Sequence, residues 1–119
     1  MDKHVIFMIS TRIAPADFEE FKGVVERLVA DSSSEKGTLT YEYCASEDHS
    51  RITIFERYLD AAAATSHVTD TYAPYAEDFD RLTQNETFFV QGEVTPELER
   101  CLQGAPVIYL TPLVGFDRY

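Results

Sequence analysis

The fold is decided by residues 37–67, which read GTLTYEYCASEDHSRITIFERYLDAAAATSH. From residue 38 to 45 apolar and polar side chains alternate, as they do on a strand with one buried face. A polar turn follows, and residues 52–58 return as a second run of strand-forming residues, so the two runs predict a β-hairpin. Asp60 then precedes four alanines and is a suitable N-cap for a helix. The stretch therefore predicts a hairpin followed by a helix that carries His67.

The residues before this stretch predict one strand and one helix. Residues 3–12 are rich in Val, Ile and Phe at odd and even positions alike, which is typical of a strand covered on both faces. Pro15 is suited to the first turn of a helix, and the apolar residues after it recur at steps of three and four. These residues are Phe18, Phe21, Val25, Leu28 and Val29. A polar loop, residues 31–37, ends at Gly37, whose dihedral freedom suits a tight turn into the next strand.

The residues after the hairpin predict helix, strand and tail. Pro74 should interrupt the helix that begins after Asp60, because proline has no backbone N–H to donate. Apolar residues at helical spacing continue beyond it, and residues 84–94 predict a last strand. Thr95 and Pro96 then start a short helix ahead of an apolar tail.

The order β-α-β-β-α-β is that of the α+β ferredoxin-like fold, the split βαβ arrangement, with a four-stranded antiparallel sheet and helices on one face. We expect one domain over residues 1–119, with its core at 3–95 and a C-terminal helix and apolar tail at 96–119. Two helices cover only one face of the sheet, whereas the first strand is apolar on both. A second copy packed about a two-fold axis would cover the other face, so we predict a homodimer. The alternative is that residues 106–119 fold back over that face.

The composition excludes several classes of partner. The formal charge is −11, from 21 acidic and 10 basic residues, and it would repel nucleic acid and anionic membrane surfaces. No apolar run approaches the roughly 18 residues that span a bilayer, so we predict a cytoplasmic protein. Cys44 and Cys101 have no regular metal-ligand spacing to the histidines, and we interpret them as reduced thiols. No metal site is expected.

Several side chains of the central stretch are placed to meet in one pocket. Glu56 and Tyr58 lie two residues apart on a strand and project from the same face as Ile54. His67, about two turns into the following helix, can reach that face, and Tyr41 or Tyr43 can join it from the paired strand. A mostly apolar pocket with a few convergent polar groups is the usual form of a small-molecule site.

We interpret His67 as a catalytic base or hydrogen-bond partner, because imidazole titrates near neutral pH. Tyr58 and Tyr72 are the candidates for orienting the substrate. The structural alternative for His67 is a buried side chain bonded to a backbone carbonyl. The predicted substrate-binding residues are Glu56, Tyr41, Ile54 and Phe18.

These residues resemble the antibiotic biosynthesis monooxygenase domain of the dimeric α/β-barrel superfamily. The resemblance is carried by residues 37–42, by the strand 52–58, by Asp60 with its alanines, and by His67 followed by Thr71. It covers roughly residues 3–95. In that family the corresponding strand usually ends in Glu-x-Trp, whereas this chain has no tryptophan and places Tyr58 there. The related haem-degrading branch uses an Asn on the first strand, which is absent here, so haem degradation is not expected.

The resemblance implies a cofactor-independent monooxygenase that acts on quinols or polyketide-like aromatic small molecules, with dioxygen as co-substrate. Such chemistry requires that the substrate lose a proton, which leaves an electron-rich anion that reduces dioxygen directly. A second hypothesis is an isomerase or other proton-shuttling enzyme that acts on a small metabolite in the same pocket. A third is a non-catalytic, small-molecule-binding stress-response module.

Overall fold

The computed structural model describes residues 3–118, which form one mixed sheet with helices on one face. Along the sheet the strand order is β2-β3-β1-β4-β5. The first four strands in the chain pair antiparallel, as the ferredoxin-like prediction requires, and β5 pairs parallel with β4. The strands are β1 (Val5–Arg12), β2 (Thr38–Ala45), β3 (Arg51–Tyr58), β4 (Gln84–Gly92) and β5 (Ile108–Leu110). The helices are α1 (Phe18–Ser32), α2 (Ala61–Ser66), α3 (Ala76–Leu82) and α4 (Pro96–Cys101).

The sheet has five strands where the sequence predicts four. The additional strand, β5, is three residues long and lies in the apolar tail. A parallel neighbour needs a crossover connection, and α4 with the loop after it provides this between β4 and β5. The ferredoxin-like prediction is confirmed, and the predicted strand count is wrong by this edge strand.

The inner face of the sheet packs against the helices through two groups of buried residues. One group joins β1 and β4 to α2 and α4, and the other joins β3 to α1 and α3. Cross-strand pairing places Phe7 beside Glu56, and Ile9 beside Ile54, on this inner face. Polar and apolar inward side chains therefore meet at the seam between the two groups.

The segment from α2 to α3 changes its helical geometry twice. Asp60 caps α2 as predicted, since its carboxylate accepts a hydrogen bond from the N–H of Ala63 at 2.9 Å. A π-helical turn, His67–Tyr72, follows, and then a 3₁₀ turn, Ala73–Tyr75. Pro74 has no N–H to donate the hydrogen bond that would continue an α-helix. The backbone hydrogen-bond pattern therefore departs from the α-helical one both in the turn before Pro74 and in the turn that contains it. The π turn begins at His67, which is buried.

The outer face of the sheet carries large apolar side chains, and Phe55 is 40% exposed there. The tail after β5 returns toward this face, where the carboxylate of Asp117 lies 3.9 Å from the guanidinium of Arg57. The apolar side chains of the tail nevertheless face outward: Leu113, Val114 and Phe116 are 82–91% exposed. Among residues 3–118 no helix has the length and apolar character needed to cross a membrane.

Candidate active site

A cavity of about 90 Å³ lies between the two buried groups, under the π turn. Its apolar wall comes from strands β1, β3 and β4 and from the helix layer. Its polar lining residues are Tyr41, Tyr43, Glu56, His67, Tyr72 and Asn85. Asn85 is exposed, so the cavity approaches solvent at the start of β4. The cavity thus combines apolar side chains with a few convergent polar groups, which is the usual form of a small-molecule site.

His67 is the most enclosed polar residue of the cavity wall, with only 2% of its surface exposed. Its Nδ1 lies 2.9 Å from Oε1 of Glu35. A carboxylate accepts, so the imidazole hydrogen lies on Nδ1 and donates to Glu35. Nε2 then presents a lone pair on the opposite side, 3.8 Å from Oε1 of Glu56. The ring is held in one tautomer with its basic nitrogen toward the cavity.

Glu35 is held by hydroxyl donors as well as by His67. Thr71 donates to its Oε2 at 2.6 Å, and Thr38 donates to its Oε1 at 3.0 Å. The Glu35 side chain retains 19% exposure and borders a polar surface depression of about 320 Å³ on the side of His67 away from the cavity. A buried imidazole is thereby connected to solvent through one carboxylate.

Close packing at Gly37 brings this carboxylate into place. A Cβ atom on Gly37 would lie 2.5 Å from Cβ of Ala63, so only glycine lets the loop before β2 approach α2 this closely. The described glycines with a positive φ do not include Gly37. Its predicted role as a source of unusual dihedral angles is therefore wrong, and close approach is the physical reason for glycine here.

Glu56 and Tyr58 form a buried pair on β3. The Tyr58 hydroxyl donates a hydrogen bond to Oε1 of Glu56. Tyr58 is 0% exposed and Glu56 is 5% exposed. Burial raises the pKa of the Glu56 carboxyl, although the nearby His67 and the Tyr58 hydrogen bond oppose the rise. Burial likewise raises the pKa of the Tyr58 phenol. Glu56 is thus a carboxyl group that holds its proton more strongly than one in water.

Three tyrosines complete the polar lining. The hydroxyls of Tyr41 and Tyr43 lie 2.6 Å apart and share a hydrogen bond. The Tyr41 ring meets the imidazole of His67 edge-on, with ring centroids 4.9 Å apart. Tyr72, at the end of the π turn, packs edge-on against Phe79, and burial raises the pKa of its phenol to about 12.

The structure brings most of the predicted site residues to this cavity. Those that line it are His67, Tyr72, Glu56, Tyr41 and Ile54. Tyr58 does not line the cavity and reaches it only through its bond to Glu56. Phe18 lies elsewhere, because its ring stacks on that of His49 with centroids 3.7 Å apart. Phe18 therefore leaves the set of candidate substrate contacts.

Tyr43, which the strand pairing offers as an alternative to Tyr41, lines the cavity together with Tyr41. Glu35 and Asn85 are the polar residues of this site that the sequence interpretation leaves out. Glu35 carries no local signal, because it stands among polar loop residues and reaches His67 only through tertiary packing. Within residues 3–118 no group of three or more His, Cys, Asp or Glu side chains is arranged to hold a metal ion.

The comparison with known families agrees with this architecture. The sequence model described as antibiotic biosynthesis monooxygenase matches residues 4–74. The chain belongs to the antibiotic biosynthesis monooxygenase family. The match includes Glu35 and every polar lining residue of the cavity except Asn85. No curated protein matches the chain in sequence.

Solved structures show the same fold. MupZ from Pseudomonas fluorescens superimposes with a TM-score of 0.84 at 21% identity, over 99% of this chain and 91% of MupZ. A Nitrosomonas europaea protein with the provisional name antibiotic biosynthesis monooxygenase superimposes with a TM-score of 0.68 at 17% identity, over 81% of this chain and 95% of that protein. PA3566 from Pseudomonas aeruginosa superimposes with a TM-score of 0.65 at 22% identity, over 80% of this chain and 98% of PA3566. The MupZ match includes the C-terminal tail, which extends beyond the family region.

Proposed function

We propose that this protein is a cofactor-independent monooxygenase that acts on quinols or related aromatic small molecules, with His67 as the base. The observation that carries the proposal is the orientation of His67: Glu35 holds Nδ1–H, and Nε2 faces an apolar cavity beside Glu56. A carboxylate that orients an imidazole is one arrangement by which proteins hold a histidine as a general base. Family membership supports the same class of reaction.

In the proposed reaction, Nε2 of His67 removes a proton from the substrate, either from the phenol O–H of a quinol or from the activated CH2 group of an anthrone. The resulting anion transfers an electron to dioxygen, and the two radicals combine to form a C–O bond at a carbon that still bears one hydrogen. The peroxide takes up the proton from His67. Removal of the remaining hydrogen of that carbon as a proton then breaks the O–O bond, which leaves a C=O group, and the hydroxide released takes up this proton to form water. Glu56 and His67 are the groups that exchange protons in these steps.

The size of the cavity limits what can bind without rearrangement. It measures about 90 Å³, whereas an apolar cavity of about 150 Å³ holds benzene. A two-ring or three-ring substrate therefore requires the wall to move. The π turn His67–Tyr72 supplies the candidate moving wall, since π-helical turns interrupt the regular hydrogen-bond ladder and are frequent at functional sites.

Proton transfer without oxygenation is the second candidate function, and a separate observation favours it. Nε2 of His67 and Oε1 of Glu56 are 3.8 Å apart on one cavity, and Glu56 has a raised pKa. A base and a proton-holding acid side by side are what an isomerase uses to remove a proton at one position and return it at another.

Dioxygen uptake with a panel of hydroquinones and anthrones separates the two functions. The monooxygenase requires one dioxygen consumed for each product carbonyl formed, and no turnover under argon. Turnover that continues at the same rate under argon would overturn the monooxygenase and support the isomerase.

We also propose that the protein is a homodimer that packs through the outer face of the sheet. Contiguous exposed apolar side chains mark interaction surfaces, and Phe55 on the outer face stays 40% exposed although the tail returns toward that face. A second copy would bury this face together with the outward side chains of the tail. The apolar residues of the proposed interface are Ile6, Met8, Phe55, Phe89, Leu113, Val114 and Phe116.

A further inference from the structure

We propose that the Tyr41–Tyr43 hydroxyl pair binds an oxygen atom of the ligand, and that the ligand is a neutral carbonyl or phenol compound. This inference deepens the proposed function by assigning the side chains that bind the oxygen of the substrate, and it rests on that function for the role of the bound oxygen. The binding site itself follows from the hydrogen-bonding capacity of two side chains.

The pair contains one more donor than it uses. Each phenol hydroxyl carries one hydrogen and can donate one bond. The single bond between Tyr41 and Tyr43, 2.6 Å long, uses one of the two hydrogens. Within the part of the chain that the structure describes, neither hydroxyl has another hydrogen-bond partner. One phenolic hydrogen is therefore available to an acceptor in the cavity that both residues line.

The strand geometry fixes where that acceptor would sit. Tyr41 and Tyr43 project from the same face of β2, and Tyr41 pairs across the ladder with Glu56. The Tyr41 ring also contacts the imidazole of His67. A ligand oxygen bound by the pair thus lies in the same cavity as Nε2 of His67, which is the nitrogen proposed to take the proton.

The charge of the site favours a neutral ligand. None of the described residues that line the cavity is Lys or Arg, and the carboxyl groups of Glu35 and Glu56 flank His67. A carboxylate or phosphate ligand would meet no compensating charge. A carbonyl or phenol oxygen enters neutral and gains negative charge only as the proton leaves for His67. A phenolic donor at that oxygen then stabilises the developing charge more than the starting state.

A matched pair of small ligands tests the assignment under argon. Cyclopentanone and methylenecyclopentane have nearly the same shape, but only the ketone has an acceptor oxygen. Their affinities are measured by NMR titration for the wild type and for the Tyr41→Phe/Tyr43→Phe double variant. We expect the ratio of ketone affinity to hydrocarbon affinity to fall about fivefold in the double variant, as for the loss of one neutral hydrogen bond. An unchanged ratio would overturn the assignment.

A second readout does not depend on any variant. The carbonyl stretching frequency of cyclopentanone bound to the wild type should lie below its value in a hydrocarbon solvent, because a hydrogen-bond donor weakens the C=O bond. A bound frequency equal to the hydrocarbon value would also overturn the assignment. The ketone is not oxygenated under argon, so these results are independent of dioxygen chemistry. If the proposed monooxygenase function were wrong, the protein would take up no dioxygen, whereas its preference for the ketone over the hydrocarbon would remain.

Discussion

The carboxylate of Glu35 accepts a hydrogen bond from Nδ1–H of His67 at 2.9 Å, so the other nitrogen of the buried imidazole faces the cavity. Glu35 lies in the loop between α1 and β2, whereas His67 opens the π turn after α2. The proposed base is therefore oriented by a residue from a different part of the fold. This relationship makes Glu35 a positioning residue whose effect acts through His67.

Replacement Glu35→Gln should lower kcat by about a hundredfold and leave KM nearly unchanged. The amide still fills the space and can accept from Nδ1–H, but it lacks the negative charge that stabilises the protonated imidazole. Steady-state kinetics of dioxygen uptake measure the effect. Glu47→Gln, an exposed substitution in the β2–β3 turn, is the matched control and should behave as wild type. Equal losses in kcat for both variants would rule out a specific role for Glu35.

Replacement Glu56→Gln should stabilise the protein at neutral pH. The folded state raises the pKa of Glu56, so the folded chain holds this proton more strongly than the unfolded chain. Wild-type stability therefore falls as pH rises from the unfolded pKa, about 4.3, through the folded value. The amide avoids this loss, which amounts to about 1.4 kcal/mol for each unit by which the pKa is raised.

Urea unfolding of both proteins between about pH 4 and pH 8 checks this dependence. The stability difference should be largest at the upper end and should vanish at the lower end. Glu42→Gln, at an exposed position on β2, should show no such trend. A Glu56→Gln variant less stable than wild type at pH 8 would show that the carboxylate is stabilising in its buried setting.

Replacement Gly37→Ala should destabilise the fold by about 1–3 kcal/mol, because its new methyl group would overlap that of Ala63. Adding Ala63→Gly removes the overlap, although glycine within a helix costs about 1 kcal/mol by itself. The double variant should therefore lose less stability than the sum of the two single variants. Urea unfolding of all four proteins gives this coupling energy, and strictly additive losses would refute the close contact.

Replacement Phe55→Glu should weaken self-association by about thirtyfold or more, which corresponds to the loss of a ~2 kcal/mol interface contact. The substitution places a charge on the outer face at a position that is already 40% exposed in the single chain. Sedimentation equilibrium measures the effect. Ala62→Glu adds the same charge at an exposed position on α2 and should leave association unchanged. A wild-type protein that is monomeric at micromolar concentration would refute the dimer.

Sequence patterns that span only a few residues predicted the fold well. The caps at Asp60 and Thr95 are confirmed, since each side chain accepts a hydrogen bond from the N–H three residues later. The hairpin and the order of the first four strands are also confirmed. The alternation of apolar and polar residues indicates which face of a strand is buried, and the turn residues indicate where the chain reverses. Family membership, indicated by the hairpin and the His67 helix, is confirmed as well.

Features that depend on contacts between distant segments could not be predicted in this way. Glu35 meets His67 where Gly37 packs closely against Ala63, and no local sequence pattern predicts either contact. The pairing of Ile108 with Phe89 depends equally on how the tail returns to the sheet. Phe18 has helical spacing with the core of α1, yet the turn of the hairpin brings His49 against it.

The most direct test of His67 as the base is the rate of dioxygen uptake by the His67→Gln variant. The substrate is the member of the quinol panel that the wild type oxidises fastest, and His49→Gln, at an exposed turn position, is the matched control. We predict that His67→Gln lowers kcat by about a hundredfold or more, while His49→Gln retains the wild-type rate. A His67→Gln variant that oxidises the substrate as fast as the wild type would contradict the role of His67 as the base.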